Sequence, residues 1–259
     1  MPELPDVEGF RRVLAHYAVG RRIERVEVLD ASMLRNASPQ ALGRALRGSR
    51  FRAPERHGKW LIAPMDGTLV LMHFGMTGLL DWRQSQEERH PHDRIVFVCS
   101  GGELRYRNMR KFGGVWLARS EAEREQVTER LGPDADSLAR DEFHALLGRR
   151  RGGIKAALID QRLIAGLGNL MSDEVLWRSR IAPRASCARI GRRRRDRLYE
   201  AMRAVVRESK PAGRVPHTDR WLTSVRDQPD ARCPRCSAPL RKEVVAGRTA
   251  CWCPRCQRS

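Results

Sequence analysis

Two identical tetrapeptides near the C-terminus, "CPRC" at 233–236 and again at 253–256, constrain this chain more than any other feature. Each knuckle can turn two thiolates toward one ion. The sixteen residues between the knuckles are enough for a hairpin that brings them together. Four thiolates make a closed tetrahedral site with no place for water, the coordination of structural zinc. One zinc ion per chain is therefore expected on Cys233, Cys236, Cys253 and Cys256, with Gly247 at the turn of the hairpin. Cys251, two residues before Cys253, is a rival ligand, although the repeated pattern favours Cys253. Cys99 and Cys187 are left over, and seven cysteines in a chain without an export signal argue against a disulfide framework.

The charge balance points to a polyanion. Fifty lysines and arginines stand against 31 acids, a net charge of +19, which suits nucleic acid before an anionic membrane surface. No run of about 18 apolar residues is present to cross a membrane. The acidic, proline-containing start does not resemble a targeting peptide, so a cytoplasmic location is expected. Arg241, Lys242 and Arg248 in the expected finger hairpin are placed to meet phosphates, or equally to be solvated.

Periodicity divides the chain. Val7, Phe10, Val13, Leu14 and Tyr17 share one helical face from Pro5 to about Tyr17. Short β-rich runs follow, "RRIERVEVLD", "KWLIAP", "TLVLMHFGM", "DRIVFVC", "GELRYRN" and "GGVWLA", with one helix, "SPQALGRALRG", among them. Short strands at this density predict a sandwich or barrel. After Ala118 the charged, turn-ending segment "RSEAEREQVTERLGPDADS" reads as a boundary, and from Leu138 to about Ser209 the signal is helical. The segment from Lys210 to Ala231 reads as a mobile connector. The fold class expected is α+β: an N-terminal β-sandwich with flanking helices, then a helical domain, then the cysteine hairpin.

Two further stretches carry chemistry. "LIAGLGN" at 163–169 has glycines that permit tight turns, and Asn169 opens a helix whose unpaired N–H groups form a phosphate site. With Lys155 on the preceding helix it reads as a helix–two-turn–helix that grips a nucleic-acid backbone, and Arg192 to Arg195 extend a basic surface or a solvated helix face. At the start, "MPELPDVEGF" reads first as a helix N-terminus, with Pro5 in the first turn and acids at the positive end of the dipole. Removal of Met1 would instead leave Pro2 as a secondary amine, a nucleophile beside Glu3.

In order along the chain, "PELPDVE", "HGKW" at 57–60, "HFGMTG" at 73–78, "RKFGG" at 110–114, "LIAGLGN" and the four-cysteine finger with Arg248 resemble the formamidopyrimidine-DNA glycosylase/endonuclease VIII family of base-excision enzymes. The resemblance spans nearly the whole chain. It implies a bifunctional glycosylase and AP lyase that removes oxidised bases of the formamidopyrimidine or 8-oxoguanine type and cleaves the abasic strand by β/δ-elimination. Pro2 would attack C1′ and become an iminium, Glu3 would serve the ring oxygen and proton transfers, and Lys59 would meet a phosphate flanking the lesion. Lys155, Asn169 and Arg248 would hold the bent backbone; His73, Met76, Arg110 and Phe112 complete the DNA contacts, with Met76, Arg110 and Phe112 filling the void left by the flipped base.

The domains implied are a catalytic sandwich at 1–118, a linker at 119–137, the helix-two-turn-helix at 138–215, a connector at 216–232 and the finger at 233–259. The partner would be double-stranded DNA carrying a damaged base or abasic site, met by a monomer with no organic cofactor and no membrane, associated with the nucleoid. The sequence departs from the family pattern at Asp6 (usually Glu), Gly9 (often Thr), Asn108-Met109 (usually Asp-Pro) and the connector. The alternatives are a non-catalytic binder of damaged DNA, a glycosylase for oxidised pyrimidines or bulky and alkylated lesions, and a zinc-containing RNA or ribosome binder.

Overall fold

The computed structural model describes residues 2–85, 87–128 and 130–258. Met1, and with it the processing expected of the N-terminus, lies outside the described residues. The chain divides into two compact units: Met1–Pro2 with Asp6–Glu129, and Glu3–Pro5 with Arg130–Ser259.

The first unit is a sandwich of two four-stranded antiparallel sheets. One sheet runs β1 (Ile23–Val28), β6 (Asp93–Cys99), β7 (Gly102–Asn108), β5 (Gly78–Arg83); the other runs β2 (Glu55–His57), β3 (Trp60–Pro64), β4 (Leu69–His73), β8 (Gly114–Ala118). Period-two side-chain direction explains why β3 and β4 read as nearly continuous apolar runs. Leu61, Ala63, Val70 and Met72 enter the core with Ile95, Phe97, Leu104 and Tyr106 of the other sheet. Ile62, Leu69 and Leu71 face the opposite way and pack with Trp60, Trp116 and Val127. Helices α1 (Leu4–Tyr17) and α2 (Pro39–Leu46) add Val7, Leu14, Leu42 and Leu46 to the main core. Ser38 caps α2, its hydroxyl accepting from the Ala41 N–H at 3.1 Å with Pro39 in the first turn, the local reason the helix begins there.

Three local expectations change. "GLLDWR" forms β5, in which only Gly78 and Leu80 are buried, and "ERH" forms β2. The segment read as a boundary holds a helix, α3 (Glu121–Thr128), which buries none of its residues fully.

In the second unit, α4 (Arg140–Gly148), α5 (Ile154–Ile159), α6 (Asn169–Ser179) and α7 (Arg192–Ser209) share one core with Leu4. The connector read as mobile is packed: Trp221, Leu222, Thr223 and Arg226 are all buried. The buried Glu174 carboxylate accepts the Leu222 N–H at 2.8 Å. The apolar Trp221 and Leu222 stand in a polar stretch too short to show periodicity, which is why sequence patterning passed them over. The hairpin of β9 (Arg241–Val245) and β10 (Arg248–Trp252) turns at Ala246 and Gly247, both at positive φ, the two-residue turn that matches strand twist. Among the described residues no helix is long and apolar enough to cross a membrane.

Candidate active site

Glu3 and Leu4 are built into the glycine loop. The Glu3 carboxylate accepts three backbone N–H groups, from Gly168 at 2.8 Å, Leu170 at 2.7 Å and Met171 at 3.1 Å. These donors belong to the start of α6. The N–H groups expected to await a phosphate are therefore occupied by Glu3, a carboxylate at the positive end of a helix. Leu4 donates its N–H to Gly166 O at 3.1 Å, and a Cβ on Gly166 would lie 2.7 Å from Leu4 Cδ1. Gly166 also sits at φ +111, and a Cβ on Gly168 would collide with the Glu3 carboxylate. Both glycines are needed because the N-terminus approaches the loop so closely. Pro2 is half-buried.

Beside the turn of the hairpin, one carbonyl gathers three donors. Thr249 O accepts from Asn169 Nδ2 at 3.0 Å and from Lys155 Nζ and an Arg226 guanidinium nitrogen, each at 3.4 Å. The Lys155 ammonium is enclosed, bonded to Asp173 Oδ1 at 2.5 Å. Asp173 Oδ2 accepts from Arg226 at 3.0 Å and from the Cys251 N–H at 3.0 Å. Lys155 thus points at the strand that carries Arg248, and Arg248 itself is exposed beside the turn. Asp173 and Arg226 were not singled out from the sequence; "SDE" inside an apolar helix was the available signal.

In the first unit, strand register brings three turns to one end of the sandwich. His57 pairs with Trp60 across the two-residue turn Gly58–Lys59, with Gly58 at φ +56. His73 pairs with both Trp60 and Gly114, and Gly78 pairs with Asn108. The 74–77 and 109–113 loops therefore lie together, close enough that a Cβ on Gly75 would be 2.6 Å from Gly113 N. Asn108 ties them: its Nδ2 donates to Phe74 O and to the Tyr106 hydroxyl oxygen, both at 3.1 Å, and its Oδ1 accepts the Lys111 N–H at 2.9 Å. A carboxylate, acceptor only, could not donate to Phe74 O, so Asn at this departure from the family pattern is functional in the fold.

Phe112 is 61% exposed, not a core residue, and the Arg110 guanidinium lies 5.2 Å from its ring centroid. Met76 is half-buried in the facing loop. Between Arg110 and Phe112, Lys111 adopts φ +56 and its ammonium pairs with Asp30 at 2.7 Å. Lys111 and Ser32 hold the Asp30 carboxyl down, at about 2. Asp30 gave no sequence signal, because its partner lies 81 positions away. Burial, helped by the nearby Lys59 charge, pushes His73 down to about 4, so it is neutral at physiological pH.

The four expected cysteines form a cluster whose sulfurs all lie within 4.8 Å of one another. Individual Sγ–Sγ separations are 3.9 Å (Cys233–Cys256), 3.6 Å (Cys236–Cys253) and 3.3 Å (Cys236–Cys256). Tetrahedral zinc with sulfurs at about 2.3 Å requires separations of about 3.8 Å, so the donor set fits one structural zinc. Cys251 is not part of the cluster. The Trp177 indole N–H donates to Cys233 Sγ at 3.3 Å, fixing one thiolate from α6.

Comparison with known proteins gives three domains in the same order. Residues 1–115 match the formamidopyrimidine-DNA glycosylase N-terminal domain, 131–215 the formamidopyrimidine-DNA glycosylase H2TH domain, and 232–258 the zinc finger found in FPG and IleRS. Fold and site thus define an enzyme class: DNA glycosylases that carry a four-cysteine finger. The formamidopyrimidine-DNA glycosylase of Geobacillus kaustophilus is 35% identical, with both chains covered completely, and that of Acidothermus cellulolyticus is 37% identical over 99% of this chain and 97% of its own. The Lactococcus lactis Fpg in complex with abasic-site DNA superposes with a TM-score of 0.92 at 27% identity, each chain fully covered. The chain belongs to the formamidopyrimidine-DNA glycosylase family.

Proposed function

We infer that this chain is a bifunctional DNA glycosylase and AP lyase of base excision whose nucleophile is the amine of Pro2, uncovered by removal of Met1. The observation that carries the reading is the Glu3 carboxylate held by three N–H groups of the α6 start. So many bonds spent on one buried carboxylate near the chain end suit a group that must be positioned for chemistry. The Pro2 nitrogen bonds C1′ as the base leaves with its electron pair. Opening of the sugar ring then makes a positively charged iminium, an electron sink that acidifies the C2′ hydrogen; loss of that proton expels the 3′ phosphate, and loss of the C4′ proton in a second elimination expels the 5′ phosphate. Glu3 serves the ring oxygen as it takes its proton. An α-amine titrates near 8, against about 10.4 for lysine, so less tuning is needed to keep it unprotonated.

The remaining assignments follow the same reading. Lys59 meets a phosphate flanking the lesion, and neutral His73 beside it is a hydrogen-bonding rather than a charged group. Met76, Arg110 and Phe112 fill the gap left by the extruded base, an assignment supported by the exposure of Phe112. Arg248 contacts backbone phosphate directly, while Lys155 and Asn169 act on it through Thr249. The substrate class proposed is formamidopyrimidine and 8-oxoguanine-type lesions in duplex DNA, bound by a monomer in the cytoplasm at the nucleoid. The proposed domains are 1–118, 138–215 and 233–259, joined by segments 119–137 and 216–232. The four thiolates hold zinc, which supplies folding free energy to the finger and no catalysis.

The test is borohydride trapping on abasic DNA with peptide mapping of the adduct. The adduct is expected on Pro2 and should vanish when the N-terminus is blocked, while DNA binding persists. Trapping that survives the block would move the nucleophile to a lysine.

A further inference from the structure

Six arginines surround a cavity of about 700 Å³ in the second unit, next to Cys236 and Cys256. Arg180 follows the end of α6, Arg194 and Arg197 lie in the first two turns of α7, Arg235 and Arg255 occupy the same position in the two C-P-R-C knuckles, and Arg258 ends the described chain. The repeated arginine of the knuckles and the arginine run at the start of α7 thereby converge on one place, which phosphate contacts at the hairpin tip do not explain.

The charges there are unusually unmatched. Among the described residues none of the six pairs with a carboxylate, although nearby arginines do: Arg178 bonds Glu174 at 2.7 Å and Glu208 at 2.8 Å on these same helices. No acid stands in the first turn of α7, where the helix dipole already disfavours cations. A zinc ion on four thiolates carries a net charge of −2, which leaves about four of the six positive charges unmatched. Two of the guanidinium groups are held in place by the fold: Arg194 donates to Arg258 O at 2.7 Å, and Arg235 donates to Trp177 O at 3.0 Å while covering the Trp177 ring at 4.3 Å. Planar forks fixed in this way suit phosphate oxygens.

We propose that this cavity is a second anion site, distinct from the lesion-binding surface, that takes a compact condensed phosphate of about four negative charges: an inorganic phosphate chain or the triphosphate tail of a nucleotide. A volume of 700 Å³ is that of a small-ligand pocket rather than a track for a duplex. A phosphodiester strand spreads one charge per phosphate along its length, whereas a condensed phosphate concentrates several in the space the six arginines enclose. Among the described residues no aromatic face lines the cavity to stack a base, since Arg235 covers Trp177. The site also stands apart from the Glu3-capped start of α6: ten residue steps, about 15 Å of helix, separate Asn169 from Ser179 just before Arg180.

Calorimetric titration of the zinc-loaded full chain with inorganic tripolyphosphate, near 0.15 M salt, tests this. One saturable site is expected, weakened at least tenfold by the double substitution R194E/R197E and by R255E, with zinc content unchanged, and altered less than twofold by R248A. All three glutamates replace exposed or half-exposed residues, and two of them favour the α7 dipole, so folding should survive. ATP binding as tightly as tripolyphosphate would assign the nucleotide tail, and ATP at least tenfold weaker would assign the inorganic chain. Loss in R248A equal to that in the double variant, AMP binding as tightly as tripolyphosphate, or absence of saturation would overturn the proposal.

Discussion

Gly168 donates its backbone N–H to the Glu3 carboxylate at 2.8 Å across 165 residues of chain, and it can do so only because it lacks a side chain. Hydrogen bonds to a charged group are each worth about 1.5–3 kcal/mol, and a Cβ at 168 would displace the acceptor of three. Gly168→Ala is expected to slow borohydride trapping on abasic DNA at least tenfold while zinc content stays at one per chain. A trapping rate within twofold of the parent would mean the N-terminus does not need this anchor.

The wedge loop should depend on a residue outside it. Asp30→Ala removes the partner of Lys111 and is expected to impair base removal more than cleavage of a preformed abasic site, as Phe112→Ala should do more strongly. The reason is common: extruding a base costs a few kcal/mol, less when no base is present. Single-turnover rates on the two substrates decide it, and equal losses on both would assign Phe112 a purely structural role.

Removing one charge from the enclosed Asp173 cluster should be costly. Breaking a buried ion pair from one side typically costs about 3–5 kcal/mol, and Asp173→Ala would strand both Lys155 and Arg226. A urea midpoint shift of that order is expected. Arg226→Ala should shift it less, since Lys155 then retains its partner, and should weaken DNA binding evenly across lesions through the hairpin.

Zinc content should separate the cysteines. Cys236→Ser or Cys256→Ser is expected to lose zinc and unfold the finger, whereas Cys251→Ser, Cys99→Ser and Cys187→Ser should each retain one zinc by metal analysis. Zinc loss in Cys251→Ser alone would place it among the ligands.

His73 gives a pH dependence of definite sign. Its folded value near 4 lies below the ordinary 6.5, so between those values the unfolded chain binds the extra proton and stability falls as pH falls. At 1.36 kcal/mol per unit the loss by pH 5 is at most about 2 kcal/mol. His73→Gln should remove that share of the acid sensitivity between pH 7 and 5 in urea titrations. Asp30 acts lower, its contribution intact above 3.8 and lost as pH falls toward 2. An unchanged profile in His73→Gln would show that the imidazole is not held neutral.

The sequence by itself determined the four zinc ligands, the order of sandwich, helices and finger, and the motifs that mark the family. These rest on local spacing: two residues between cysteines, short apolar runs at β3 and β4 bounded by turn residues, glycines where turns are tight. Helix α7 carries an apolar stripe from Leu198 to Val206 that marks it as helical. Tertiary structure decided where local signals meet. Asp6 and Glu8 read as dipole partners of their own helix and Glu3 as the carboxylate beside the Pro2 amine; that Glu3 also caps α6 was not legible, because the N–H groups at residues 168–171 need an acceptor and the folded chain supplies one from its start. Lys155 reads as an exposed phosphate contact, yet it lies enclosed on Asp173, because the packed connector brings Arg226 over the same carboxylate. Asp30 carried no signal at all. Its role depends on a left-handed residue in a distant loop, and a pairing of that kind is set by the register of the strands between, which local composition does not encode.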